Sequence, residues 1–294
     1  YVDTANLNMI AIIDESSYKE WIGKTETSSD FLTLAPLKGL AAALDKEHTE
    51  FSPGDILPPL WHWLYFLTPT RQSRIGTDGH AKRGDFLPPI ALPRRMWAGS
   101  RFKFIRPLYA GEEIKRNSTI KSINFKQGRS GMLAFVTVEH KISTDSELAL
   151  KEEHDIVYRE HTPVNSPPPL EKKTFQASDY SKTIKPDPVL LFRYSALTFN
   201  GHRIHYDRDY VTKEEGYPGL IVHGPLLATL LLDLLIEKYQ DKAVQQFEFK
   251  AMSPVFDLNP FDVCGSNPDK NGDLNLWVQD HENTLCMQAK AKIA

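Results

Sequence analysis

Cysteine is nearly absent from this 294-residue chain, which has only Cys264 and Cys286. No disulfide framework is therefore expected, and a reducing compartment suits it. Long hydrophobic runs are lacking as well. The longest, residues 226–236, is interrupted by Asp233 and falls short of the roughly 20 apolar residues that span a bilayer. An excess of charge is also missing: 35 Lys and Arg stand against 38 Asp and Glu, a net charge of -3, so nothing points to a nucleic-acid partner. No basic-plus-apolar secretory leader opens the sequence. These absences lead to the expectation of a cytoplasmic protein, or a mitochondrial-matrix one if a transit peptide precedes Tyr1. What is present is ordinary globular composition, 41% hydrophobic and 25% charged, enough for one large domain or two of about 140 residues.

The order of local signals repeats. Pro163, Pro167, Pro168 and Pro169, followed by a lysine-rich polar stretch, make residues 163–188 the expected linker between an N-terminal unit, 1–162, and a C-terminal unit, 189–294. The second unit opens with a helix capped by Asp187 with Pro188 in its first turn, then a long apolar helix from Gly224 to about residue 239. Runs of period-two alternation follow at 244–252, 261–265, 274–278 and 284–293. The first unit shows a helix at 31–44 after Ser29 and Asp30, and a second helix at 60–67 after Pro58 and Pro59. Alternating runs follow at 101–105, 113–125, 131–142 and 148–158. Even the wording matches: FKF at 102–104 and FEF at 247–249. The expectation is α+β: two antiparallel sheets, each wrapped around a long central helix and joined edge to edge, which hides edge strands that either unit alone would expose. Residues 68–99 stand out as a long irregular stretch of the kind that serves as a lid or binding loop.

Chemistry concentrates in the second unit. Asn200, His202 and His205 lie within six residues, and His223, Gly224 and Pro225 then open the apolar helix. A helix starting at Gly-Pro presents free N–H groups and its positive dipole end to whatever precedes it. Proton-transfer side chains beside such an end meet the needs of oxyanion or enolate stabilisation. Two histidines three apart followed by Asp207 make a weak metal pattern, and no metal is expected. The corresponding part of the first unit, 37–45, is mostly apolar, so the second unit is expected to hold the single active site. The first would serve as a wall or acyl pocket.

The segments TFNGHRIH (198–205) and IVHGPLLA (221–228) resemble the hydratase motif of the MaoC-like, hotdog-fold (R)-specific enoyl-CoA hydratases. PPLWHWLY (58–65) and LPRRMWAG (92–99) resemble the N-terminal domain of the double-hotdog branch and narrow the resemblance toward mesaconyl-C4-CoA hydratases. The resemblance covers nearly the whole chain and implies a double hotdog fold. It also implies a hydro-lyase that adds water reversibly to an α,β-unsaturated acyl-CoA, with mesaconyl-C4-CoA to citramalyl-CoA as the specific reaction. It implies no cofactor, because CoA belongs to the substrate. An acyl-CoA partner is expected, with no nucleic acid or membrane, and a homodimer.

Roles carry over unevenly. The family motif has a catalytic Asp, an Asn two positions on, and a catalytic His five positions after the Asp. Here those positions hold Asn200, His202 and His205. Gly224 matches the glycine whose N–H binds the thioester carbonyl. The resemblance thus makes His205 the acid/base, Gly224 the oxyanion donor, Asn200 a holder of water, and His202 the second proton-transfer group with Asp207 in reserve. Arg94 and Arg95, the core of a basic cluster with Arg101, Lys103 and Arg106, are expected at CoA phosphates. Arg193 and Arg203 are expected near a substrate carboxylate, and His223 as a shaper of the turn. Two other functions stay open: an acyl-CoA thioesterase, recognised by free thiol from saturated thioesters, and a non-catalytic acyl-thioester-binding subunit, consistent with the missing carboxylate at 200.

Overall fold

The computed structural model describes residues 15–47, 50–128, 131–145, 147–160 and 177–294. Among these residues ten strands form one antiparallel sheet. They are β1 (Thr25–Phe31), β2 (Arg94–Phe104), β3 (Glu113–Gly128), β4 (Gly131–Thr144), β5 (Glu147–Arg159), β6 (Tyr180–Ile184), β7 (Val244–Ala251), β8 (Phe261–Gly265), β9 (Asp273–Asp280) and β10 (Leu285–Ile293). Their order is β1-β3-β4-β5-β2-β7-β10-β9-β8-β6. The order is its own mirror: β1 through β5 on one side answer to β6 through β10 on the other. The two FxF segments meet at the junction, where Phe102 pairs with Phe247 and Ser100 with Phe249. Gly99 is required there, since a side chain on it would strike the Phe249 carbonyl at 2.3 Å.

Among the described residues three α-helices accompany the sheet: α1 (Leu34–Ala43), α2 (Pro188–Leu197) and α3 (Gly224–Lys238). Asp187 caps α2 as expected, accepting hydrogen bonds from the N–H groups of Val189 and Leu190. Helix α3 is apolar around its circumference and buried from Leu226 to Leu235, which is the signature of a helix running through a core.

The first unit departs from expectation in three places. Its first helix starts at Leu34 because residues 25–31 form β1; Asp30 accepts from the N–H groups of Phe31 and Phe66 instead of capping a helix. The second helix, expected at 60–67, is a single 3-10 turn, Trp61–Leu64. Leu60 and Phe66 on either side adopt positive φ, 69° and 55°, and Thr68, ahead of Pro69, is disfavoured in the α region. Bulky Trp61, Tyr65 and Phe66 fill the buried space that a helix would take. Finally, β2 starts at Arg94, which shortens the irregular stretch to 68–93.

The linker also needs correction. Residues 180–184 form β6, which pairs with β8 and occupies the place that β1 holds in the first unit. The proline-rich run at 163–169 lies outside the described residues.

Strands β3, β4 and β5 are longer than any in the second unit, and one face carries three zones. Near α1 it joins the main core. At the far end Ile120, Val136, Val138, Ile156 and Tyr158 form a separate core under Phe86 and Leu87. Between them runs a buried polar band. His62 Nε2 meets Glu152 Oε2 at 3.2 Å, Trp63 Nε1 donates to the same carboxylate, and Ser118 bonds His140 Nδ1 at 2.8 Å.

Candidate active site

Helix α2 ends at Leu197, and Phe199 at φ 50° turns the chain back. The Asn200 side-chain oxygen then accepts from the His202 N–H at 3.0 Å, a local turn that asparagine favours. This leads into a 3-10 turn, Arg203–His205. One backbone tie holds the segment against the approach to α3, Ile221 N–H donating to the Ile204 carbonyl, and that approach is itself fixed by Val222 N–H donating to the Val255 carbonyl. Pro225, in the first turn of α3, has no N–H to leave unsatisfied.

His205 is buried, and its Nδ1 lies 2.7 Å from the Ile221 carbonyl oxygen. A carbonyl can only accept, so Nδ1 carries the proton and Nε2 keeps its lone pair. Burial lowers the His205 pKa to about 4, against the opposing pull of the Ile221 carbonyl. The ring is therefore a neutral base at physiological pH. It stacks on His223 at 3.7 Å, and His223 bonds Ser195 through Nε2 at 2.8 Å. Burial, together with the neighbouring histidines, keeps His223 uncharged. The next residue, Gly224, begins α3, and a side chain built on it meets nothing within 4 Å.

His202 completes a row of imidazoles, its ring 5.5 Å from His205. Its pKa is lowered to about 2 by burial and by its His80 and His205 neighbours. On its other side, at 4.0 Å, lies His80, a first-unit residue that the sequence reading did not select. His80 Nδ1 is 2.9 Å from Asp78 Oδ2, and its backbone N–H donates to Asp78 Oδ1. Burial drives the His80 pKa down, while Asp78 pulls against it. Burial alone would raise Asp78, but the His80 bonds outweigh it and hold the carboxyl well below its ordinary range. A carboxylate thus stands beside the cluster after all, though it comes from residue 78 and not 200.

The segment that delivers it is a small loop closed by the Ile75–Ala81 bridge. The Gly76 N–H donates to the His80 carbonyl, and the Gly79 N–H to that of Gly76. Its tip docks on the second unit: Arg203 donates to the Asp78 carbonyl through its backbone and to Thr77 through Nη1, both at 2.9 Å. Gly79, at φ 90°, packs so closely that an added side chain would lie 1.8 Å from the Gly201 oxygen. A cavity of about 230 Å³ opens beside the loop, lined by Thr77, Asp78, His80, Lys82, Arg83 and Arg95 among others. It is smaller than the roughly 300–1,000 Å³ of a whole ligand site, which suits one end of an elongated substrate. Asp78, His80 and His202 each offer a ligand atom within 4.8 Å of the others, a spacing that a divalent cation would accept and that the Asp78–His80 hydrogen bond by itself also produces.

The expected arginines sort differently. Arg203 is bound to Asp207 through Nε and Nη2 and lies over the Tyr210 ring, so it is a strut between the units and not a free substrate anchor. Asp207, held by that pair and by the Tyr210 N–H, is likewise occupied. Arg193 is exposed on α2 and takes no part in the hydrogen bonds or ring contacts of the cluster. Arg94 pairs with Glu215, Arg101 with Glu153 and Asp155, and Arg106 with Glu112. Arg95 lines the cavity and forms no ion pair among the described residues.

Comparisons with known proteins give the family and the fold. The sequence model of the family described as hydroxyacyl-thioester dehydratase type 2 matches residues 60–257. Mesaconyl-C(4)-CoA hydratase of Chloroflexus aurantiacus is 44% identical over 283 residues, 96% of this chain and 99% of that protein. Among solved structures, a MaoC-like dehydratase from Phytophthora capsici superposes with a TM-score of 0.69 at 14% identity, covering 93% of this chain and 96% of that one. A Mycobacterium tuberculosis protein described as having a double hotdog fold gives a TM-score of 0.58 at 12% identity, covering 93% and 96%.

Proposed function

This chain belongs to the hydroxyacyl-thioester dehydratase type 2 family, and we propose that its hydro-lyase chemistry, the reversible hydration of enoyl-CoA thioesters, acts on a short dicarboxylic enoyl-CoA of the mesaconyl-C4-CoA kind. The double hotdog fold supplies the two parts that the reaction needs. Addition of water to the β-carbon pushes negative charge onto the thioester carbonyl oxygen. The Gly224 N–H, at the start of α3, receives that charge. His205 takes the water's proton on Nε2, the one ring nitrogen left with a lone pair. That fixed tautomer, on a ring stacked beside the residue that precedes Gly224, is the observation that carries the reading. Asn200 holds the turn that places His202 and His205. No cofactor is required, since CoA is part of the substrate.

The carboxylate at the distal end of the acyl group meets Arg95 in the cavity. Arginine suits it because its planar fork matches a carboxylate, and Arg95 has no acidic partner of its own among the described residues. We assign the enzyme to the cytoplasm, as a pair of copies. Among the described residues no helix is long and apolar enough to cross a membrane.

The test is hydration of crotonyl-CoA and mesaconyl-C4-CoA followed by loss of enoyl absorbance, in wild type and in Arg95→Ala. The wild type is expected to hydrate the dicarboxylic substrate with the higher kcat/KM, and the variant to raise its KM roughly tenfold or more, the loss of one charged hydrogen bond, with little change toward crotonyl-CoA. Equal effects on both substrates would remove Arg95 from carboxylate recognition. Release of free thiol from saturated acyl-CoA, without hydration, would point to a thioesterase.

A further inference from the structure

We infer that His80, oriented by Asp78, is the second acid/base of the hydration reaction, so that the first unit supplies the catalytic carboxylate that the second unit lacks at position 200. This inference rests on the hydratase reading above. Three observations carry it. Asp78 Oδ2 accepts from His80 Nδ1 at 2.9 Å, which turns the lone pair on Nε2 away from the carboxylate, as in other Asp–His pairs where the acid sets the tautomer. His80 faces the cavity and also meets the His202 ring at 4.0 Å, so it touches both the substrate space and the histidine row. The loop carrying it is clamped onto the second unit by the two Arg203 bonds and by the Gly79–Gly201 approach, a tight fit between a first-unit loop and the motif.

The proton path then closes. The oxygen of water bonds to the β-carbon while its proton passes to His205 Nε2, and the double-bond electrons become an enolate held at Gly224. His205 gives its proton to one nitrogen of the His202 ring, and the other His202 nitrogen releases its own proton to His80 Nε2. His80 delivers that proton from Nε2 to the α-carbon, the enolate electrons form the new C–H bond, His205 and His80 return to their starting forms, and His202 regains its starting tautomer by proton exchange with water before the next turnover. Dehydration runs the same steps backwards. No oxidant, metal or further reactant enters.

Wild-type hydration of mesaconyl-C4-CoA and of crotonyl-CoA is measured first, because the absence of both sinks the hydratase reading itself and with it this inference. With activity established, His80→Ala is expected to lose 10²- to 10⁴-fold in kcat, on the order of a positioned acid/base, with KM within about threefold and partial rescue by added imidazole. Asp78→Asn keeps the acceptor for the His80 N–H while removing the charge; it is expected to lower kcat about tenfold or more and to shift the pH–rate profile. Near-normal kcat in a folded His80→Ala overturns the inference and leaves the hydratase reading standing. If His80→Ala does not fold, an unchanged pH profile and kcat in Asp78→Asn overturn it instead. Dialysis against EDTA serves as the last arm: activity lost and then restored by zinc would make the cluster a metal site and reject the acid/base role.

Discussion

At the scale of single residues, one hydrogen bond decides what His205 can do. The Ile221 carbonyl holds the proton on Nδ1, so replacing His205 by Ala should cost 10²- to 10⁴-fold in kcat, with initial rates on crotonyl-CoA as the check. Because burial sets the His205 pKa at about 4, its titration should leave kcat/KM level from pH 8 down to about 5 and lower it only in more acidic buffer. A limb near pH 6.5 would mean that the ring is solvated and not buried. His205 and Gly224 were legible because motif, helix start and apolar run lie next to one another in the chain. Asp78 and His80 were not. They sit more than a hundred residues away in the tract Gly76-Thr77-Asp78-Gly79-His80, where no periodicity marks them, and only the two glycines around Asp78 hinted at a tight polar turn.

At the scale of elements, the decisive contact joins one backbone to another. Gly79 has positive φ and lies against the Gly201 carbonyl, so Gly79→Ala adds both a conformational strain and a clash. We expect a loss of about 1–3 kcal/mol from the strain, seen as a lower melting temperature, and a fall in activity beyond what the melting change explains as the loop tip lifts from Arg203. Unchanged stability and rate would show that the crossing does not position the loop. Element boundaries were legible where one signal dominated: Asp187 with Pro188 for α2, Gly-Pro for α3, alternation for the long strands. They were lost where signals competed. Pro58 and Pro59 announced a helix, yet the aromatic bulk of 61–66 and the proline at 69 stopped it after a single turn. Tyr180–Ile184 read as linker because it is short, lysine-bearing and mostly exposed, which is how edge strands guard against further pairing.

At the scale of the molecule, the symmetric sheet order and the asymmetric contents pull apart. The second unit buries leucines on α3; the first buries a band of histidines and a glutamate. Burial lowers His140 to about 4 and His154 to about 3, and His80, His202, His205 and His223 move the same way. Each is depressed relative to the unfolded chain, so between the ordinary histidine value near 6.5 and these lower values the unfolded state binds protons that the folded state refuses. Stability is therefore full above about pH 6.5 and declines as the pH falls. Calorimetry should show the melting temperature dropping by roughly 5 °C or more from pH 7.5 to 5.5, since about 2 kcal/mol corresponds to such a shift for a chain of this size. A flat profile would contradict the buried neutral histidines.

The shortened helix of the first unit has a consequence for access. A full helix at 60–67, like α3, would shut the face of the sheet that it lay on. A single turn followed by residues 68–93 covers that face with a strap instead, and a strap leaves a doorway at its margin where the cavity lies between Thr77 and Arg95. The unit that gave up its own enclosure is thus the one that leaves room beside its neighbour's histidines.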